Sequence, residues 1–351
     1  MEPVLAIRQA AAEAAMAGHS HYTQVSGTRA LRQAVAGALL RDQGLAYTPD
    51  QIVISAGAKH ALFNAFSCLL DPGDEAILPA PYWVSYPEQI KLAGGRPVMV
   101  PSSADDGYKL TPSKLEQALG PKSRLLVLNS PNNPSGAVYS EQELRALVAI
   151  AVERGLTIVS DEVYQQVVYP PSRHISPASL SQAAFEATVV ISGVSKSYAM
   201  TGWRIGYLAS PDPRLAKAAS ALQSQVTGNP TAVAQRAAEV AFGLPQAATA
   251  GQLAAFSRRR TAVLGAFSAV AGARITPPDG AFYGFVDLEG CLQRWHETST
   301  DAFCQRLLAN SGVAVVPGSA FGAPGAIRFS FAVADQVLAE ALSRLVEALS
   351  R

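Results

Sequence analysis

A chain of 351 residues, 49% hydrophobic and 16% charged, can bury a deep core, which excludes a disordered or fibrous protein. Its length exceeds one typical domain, so a large domain with a smaller companion is expected. A formal net charge of +1, with basic residues scattered apart from Arg258, Arg259 and Arg260, excludes general attraction to nucleic acid or membrane surfaces.

The first segment, MEPVLAIRQAAAEAAMAG, is Ala-rich, but Glu2, Arg8 and Glu13 interrupt any apolar run. It therefore reads as an amphipathic helix and not as a signal peptide. No apolar stretch approaches the roughly 20 residues of a membrane-spanning helix. Runs rich in β-branched and aliphatic residues then recur: QIVISAG from Gln51, EAILPAP from Glu75, RPVMVPS from Arg96 and RLLVLNS from Arg124. LTIVSDE from Leu156, TVVISGVS from Thr188 and RIGYLAS from Arg204 follow. Several are apolar without alternation, the pattern of strands covered on both faces, which predicts a mostly parallel sheet. Helical segments such as KHALFNAFSCLL and SEQELRALVAIAVERG separate them, the second opening at a Ser140 N-cap with Glu143 placed for a capping box. This alternation is that of a doubly wound α/β domain.

From Leu244 to about Ala269 the chain reads as one long helix, after which the composition shifts. PPDGAFYGFVDL, VAVVPGSAFG and AIRFSFA read as strands, with helices TDAFCQRLLANSG and DQVLAEALSRLVEAL, so a compact α+β domain is expected. The predicted division is a large α/β domain over 1–245, then the long helix and small C-terminal domain over 246–351. Cys68, Cys291 and Cys304 are widely spaced and form no C-x-x-C pair, so neither a disulfide framework nor a zinc site is indicated, and a reducing cytoplasm is expected. The five His residues sit in no constellation with a nucleophile or metal ligands, and no metal is expected.

In an open α/β sheet, ligands sit outside the carboxyl ends of the strands. Lys196 follows TVVISGVS, where partial desolvation would free its amine for Schiff-base chemistry; the plainer alternative is a surface lysine. Asp161 and Tyr164 follow LTIVS, a pairing weak on its own. In PNNPSG, Asn132 or Asn133 can offer an amide, unless the segment is only a turn. Gly57, Ala58 and Lys59 precede a helix whose first N–H groups could hold a phosphate, although many such turns bind nothing. Trp83, in PYWVSYPE, could stack on a planar ring or simply fill the core.

Taken in order, GAK, PYW, NPSG, DEVY, SK and GWRIGY resemble the class I aminotransferases of pyridoxal-5'-phosphate (PLP) fold type I. The bacterial aspartate aminotransferases are the members most resembled, and the match runs from about Tyr22 to Arg328. The resemblance implies a seven-stranded mostly parallel sheet in the large domain and transfer of an amino group between L-aspartate or L-glutamate and 2-oxo acids. It implies that Lys196 binds PLP covalently and shuttles a proton, and that Asp161 pairs with the pyridine nitrogen to keep the ring an electron sink. Tyr164 and Asn133 would bond the phenolate oxygen and Trp83 would stack on the ring. Arg204, the Gly57-Ala58-Lys59 turn and Ser195 would cup the phosphate. Arg328, in AIRFSFA, would grip the substrate α-carboxylate, with Asn133 and Trp83 beside it, and Lys59 would reach a distal carboxylate. Tyr22 matches a tyrosine that reaches the neighbouring subunit's phosphate, which implies a homodimer with shared active sites.

Two departures from the family pattern stand out. Gly193 occupies a position where some relatives carry a phosphate-binding serine. The family's chain also begins earlier, with a strand and a Gly-containing turn that close over the substrate, so altered closure is expected. The competing readings are an aminotransferase for other substrates (aromatic amino acids, prephenate or alanine), β-elimination, an impaired PLP-binding paralogue without the N-terminal arm, and a PLP-binding module of a transcription regulator.

Overall fold

The computed structural model describes residues 1–268 and 270–350. Helices α1 (Leu5–Met16) and α2 (Arg29–Gln43) lead into β1 (Ile52–Ser55), α3 (Ala58–Leu69), β2 (Glu75–Ala80), α4 (Ser85–Leu92) and β3 (Arg96–Pro101). Next come α5 (Pro112–Ala118), β4 (Ser123–Asn129), α6 (Glu141–Glu153), β5 (Thr157–Asp161), α7 (Gln182–Ala187), β6 (Thr188–Gly193) and the one-turn α8 (Val194–Ser197). Strand β7 (Gly206–Ala209) and helices α9 (Pro213–Val226) and α10 (Ala232–Gly243) complete this part. Then follow α11 (Ala250–Phe267), β8 (Arg274–Ile275), β9 (Tyr283–Asp287), α12 (Glu289–Trp295), α13 (Asp301–Ser311), β10 (Val316–Pro317), β11 (Ala326–Ser330) and α14 (Asp335–Ser350).

The seven expected strands form one sheet in the order β1-β7-β6-β5-β4-β2-β3. All neighbours are parallel except β7, which runs antiparallel to both β1 and β6. Every residue of β1, β6 and β7 is buried, as their unalternating sequences require of strands covered on both faces. Helix α1 buries Ile7, Ala10, Ala11 and Ala14, a stripe at helical spacing, so the amphipathic reading of the first segment holds. Helix α6 opens with the expected capping box: the Ser140 hydroxyl accepts from the Glu143 N–H at 3.3 Å, and Glu143 accepts from the Ser140 N–H at 2.7 Å.

A second, antiparallel sheet follows in the order β10-β11-β9-β8. Its core joins Phe256, Val263 and Phe267 of α11 to Leu338, Leu342 and Leu345 of α14 and Ile327 of β11. The long helix expected from Leu244 is shorter at its start. Leu244 is extended (φ −70°, ψ 146°) because Pro245 disfavours the helical region for the residue before it, and a 3₁₀ turn over Gln246–Thr249 precedes α11. Its expected end, Ala269, and the last residue, Arg351, lie outside the described residues. Within VAVVPGSAFG only Val316 and Pro317 pair as a strand. Strand β8 is two residues long, too short to leave a pattern. No helix among the described residues is long and apolar enough to cross a membrane.

The turn leaving β1 lies directly on the start of β7, and two glycines allow it. A Cβ on Gly206 would run into the backbone of Gly57 and Ala58, and one on Gly193 would sit 2.7 Å from both the Gly206 Cα and the Ile205 carbonyl oxygen. Gly206→Ala is expected to destabilise the protein by about 3 kcal/mol, because backbone has to move on both sides. Urea denaturation checks this, and an unchanged midpoint would contradict the close approach.

Candidate active site

A cavity of about 360 Å³ opens outside the carboxyl ends of β1, β4, β5 and β6, at the edge where β7 begins, and residues of β9 and β11 close its other side. Ala58, Lys59, Trp83, Asn133, Asp161, Tyr164, Ser195, Lys196, Arg204 and Arg328 all line it. Loops far apart in sequence thus meet where the strand topology predicts.

Asp161 closes β5 and is 4% exposed. Its Oδ2 accepts from the Tyr86 hydroxyl at 2.6 Å, and its Oδ1 accepts from the Val163 N–H at 3.2 Å. Burial outweighs these bonds and pushes its pKa from 3.8 up to about 6. Asn129, at the end of β4, donates to the Asp161 carbonyl at 3.0 Å and accepts from the Asn133 N–H at 2.8 Å, joining two strand ends and aiming Asn133. Asn132 shapes the turn instead: its Oδ1 accepts from the Ser135 N–H and hydroxyl.

Glu162 shares a face with Ser160 and so points away from Asp161. Its fully buried carboxylate accepts from Ser176 at 2.6 Å, Ser160 at 2.9 Å and Gln43 at 3.1 Å, and pairs with His174 at 3.0 Å. Burial opposes its ionisation, but His174 and these bonds prevail and hold its pKa below the usual carboxylate range.

Lys196 sits in α8, directly after β6. The Gln252 amide of α11 donates to its carbonyl at 2.7 Å, and its Nζ lies 5.4 Å from the Phe282 ring centre. Burial first, then the charges of Arg204 and Arg328, lower its pKa. Gly57, the N-cap of α3, has φ +89°, and a Cβ there would sit 2.8 Å from the Arg204 Cζ. Arg204 itself is left-handed (φ 55°) and donates to the carbonyls of Thr201 (2.9 Å) and Ala56 (3.3 Å). The guanidinium therefore lies across the first turn of α3, where helix N–H groups and a cation together favour an anion. Lys59 places its Nζ 4.9 Å from the Trp83 ring centre.

From β11, Arg328 donates to the Asn133 Oδ1 at 3.0 Å and lies 4.8 Å from the ring centres of both Tyr283 and Phe321. Its Nε is buried without a partner, a donor left for something else. The Tyr164 hydroxyl lies 2.6 Å from that of Tyr283, and burial pushes the pKa of Tyr164 well above its ordinary value.

Besides Asn132, two named residues do not line the cavity. Gly57 lies behind Arg204, and Tyr22 is 97% exposed on the surface. Conversely, Tyr86, Asn129 and Tyr283 belong to the site without having been singled out. Tyr86 lies three residues after Trp83, one helical turn on, which was the available signal. Asn129, a polar residue closing an apolar strand, was another.

The profile of the family described as aminotransferase class I and II matches residues 1–345. The aspartate aminotransferase of Bacillus sp. (strain YM-2) is 41% identical over 339 residues, covering 97% of this chain and 86% of its own. The aspartate/prephenate aminotransferase of Cereibacter sphaeroides is 42% identical over 345 residues, with 97% and 86% covered. The crystal structure of the aspartate aminotransferase from Rhizobium meliloti superposes with a TM-score of 0.95 at 39% identity, covering 100% of this chain and 89% of that one.

The raised pKa of Asp161 gives a test by sign. A carboxyl whose folded pKa lies above its unfolded value favours folding most at low pH, and that contribution is lost as pH rises from about 4 through about 6. Ligand-free Asp161→Asn is therefore expected to exceed the parent in stability at pH 8, by on the order of 2 kcal/mol, with the gap closing below about pH 4. Urea titrations across that range decide it; a variant weaker at pH 8 contradicts the assignment.

Proposed function

The chain belongs to the class I and II aminotransferases and is a transaminase; from this we propose transfer of the amino group between L-aspartate or L-glutamate and 2-oxo acids, with PLP as cofactor. The observation that carries the reading is one cavity holding the Lys196 amine, the Asp161 carboxylate and an Arg328 guanidinium whose Nε has no partner.

The residues fit PLP. The first turn of α3 and Arg204 would take the phosphate, and Gly57 lacks the Cβ that would displace that guanidinium. Ser195, buried in the same lining, would assist. Asp161 would meet the ring nitrogen, Trp83 the ring face, and Tyr164 with Asn133 the phenolate oxygen, while Lys196 would hold the cofactor covalently. When bound, PLP supplies a protonated ring that accepts the electron pair left at Cα. Asp161, ionised beside that ring nitrogen, keeps it protonated, and the ion pair offsets the cost of burying the carboxylate.

The protein's own part is binding, orientation and proton transfer. Arg328 grips the α-carboxylate with its planar fork and fixes which Cα bond faces Lys196. The Lys196 amine, its pKa lowered by burial and two nearby cations, would take up the proton released at the substrate Cα and hold it for return. Lys59, at the cavity wall, answers a distal carboxylate and favours a dicarboxylic donor. Tyr22, projecting from the surface, is proposed to reach the phosphate of a second subunit, which makes the enzyme a homodimer with shared sites. Residues 1–245 then serve as the cofactor domain, and 246–351 carry α11 and the small domain that brings Arg328. Three free cysteines support a cytoplasmic setting. Prephenate, itself a 2-oxo acid, is the second acceptor to test, since several similar proteins are named for it.

Borohydride reduction of the PLP-loaded protein should add the cofactor's mass to Lys196 and to no other residue. A protein that stays colourless with PLP, or an adduct elsewhere, overturns the reading. Lys59→Ala should lower kcat/KM for aspartate by about hundredfold while changing that for alanine less than about threefold. A donor panel scored by 2-oxo acid formation measures both.

A further inference from the structure

Tyr283, on β9, has no role in the reading above, yet it touches two groups that do. Its hydroxyl lies 2.6 Å from that of Tyr164, and its ring centre lies 4.8 Å from the Arg328 Cζ. The two tyrosine rings meet edge to face, at 79°. Core filling alone would explain the ring and leave the hydroxyl as a burden, because a buried phenol needs a partner. Phe282 and Phe285, on either side, fill space without one.

The proton count fixes a direction. Two neutral phenols carry two protons, and only one can lie between the oxygens. For Tyr164 to present its O–H to an acceptor in the cavity, the proton between them has to come from Tyr283. We propose that Tyr283 is a positioning residue with two separable parts: its hydroxyl donates to Tyr164 and turns that proton toward the cavity, and its ring holds the Arg328 guanidinium flat for a carboxylate. The inference rests on the functional reading above, in which Tyr164 faces the cofactor's phenolate oxygen and Arg328 the α-carboxylate.

The charged and titratable groups around the pair are Asp161 beside Tyr164, Tyr86 from α4, Arg328 from β11, and Lys59, Lys196 and Arg204 across the cavity. All of them remain in Tyr283→Phe, so that change isolates the hydroxyl. Losing the bond into Tyr164 makes it a poorer donor, and a proton at the cofactor's phenolate edge then binds more tightly. The pH midpoint of the visible absorbance change in the PLP-loaded protein should rise by roughly half a unit. Binding of succinate, a dicarboxylate probe for Arg328, should stay within about twofold in Tyr283→Phe and weaken about tenfold in Tyr283→Leu, which removes the ring.

Combining Tyr283→Phe with Tyr164→Phe gives the decisive arm, since the Tyr283 change should no longer move the midpoint once the Tyr164 hydroxyl is gone. That arm also stands if Tyr283→Leu does not fold. An unmoved midpoint in Tyr283→Phe, or succinate binding weakened as much as in Tyr283→Leu, overturns the proposal. Borohydride labelling of Lys196 in each protein keeps the two questions apart. Absence of the adduct from the parent sinks the functional reading, whereas an adduct with an unmoved midpoint sinks only the role of Tyr283.

Discussion

A carboxylate buried at the end of β5 is the constraint around which the site is organised. Asp161 has a short bond from Tyr86 and one backbone N–H, and these do not offset its burial. A group so placed calls for a cationic or protonated partner. The flanking strands keep register with it, Asn129 opposite Asp161 on one side and Ile191 on the other. The residues just beyond those ends, Asn133 and Lys196, therefore arrive at the same edge. Reversal of β7 brings its beginning there too, which is how Arg204 joins from a strand that runs the other way.

The second sheet completes what the first leaves open. Arg328 reaches Asn133 across the cavity, Tyr283 meets Tyr164, and Gln252 of α11 holds the Lys196 carbonyl. Each polar link joins a residue of the C-terminal part to a loop at a strand end of the large sheet. The aromatic rings flanking Arg328 keep water from its faces and leave the edge of its fork as the polar route to it.

Much of this was legible from the residues. Seven apolar runs became seven strands; the inner ones need unbroken apolar sequence because they are covered on both faces, whereas β3, at the sheet edge, is largely exposed. The helix capped by Ser140 and Glu143 was readable because its signal is local. Position after strands marked Lys196, Asp161 and the Asn132–Asn133 pair, and the family resemblance chose Asn133. Most of what failed depended on neighbours distant in sequence. Nothing local to Tyr283 announces Tyr164, 119 residues away, and the helical spacing of Tyr86 from Trp83 does not by itself reveal Asp161, 75 residues on, as its partner. Strand β8 pairs only because β9 is beside it. The start of α11 was misjudged because composition outweighed Pro245, whose local effect was readable.

Glu162 has an implication of a different kind. Adjacent residues of a strand face opposite ways, so sliding the end of β5 by a single position would exchange Glu162 for Asp161 in the cavity. Both are acidic, and a sheet edge alone would discriminate poorly between them. Ser176, Gln43 and His174, which come from other segments, hold a carboxylate at only one of the two positions. They act as a registration pin, and the fidelity with which this chain threads its own sheet is written on the face of the strand turned away from the Asp161 cavity.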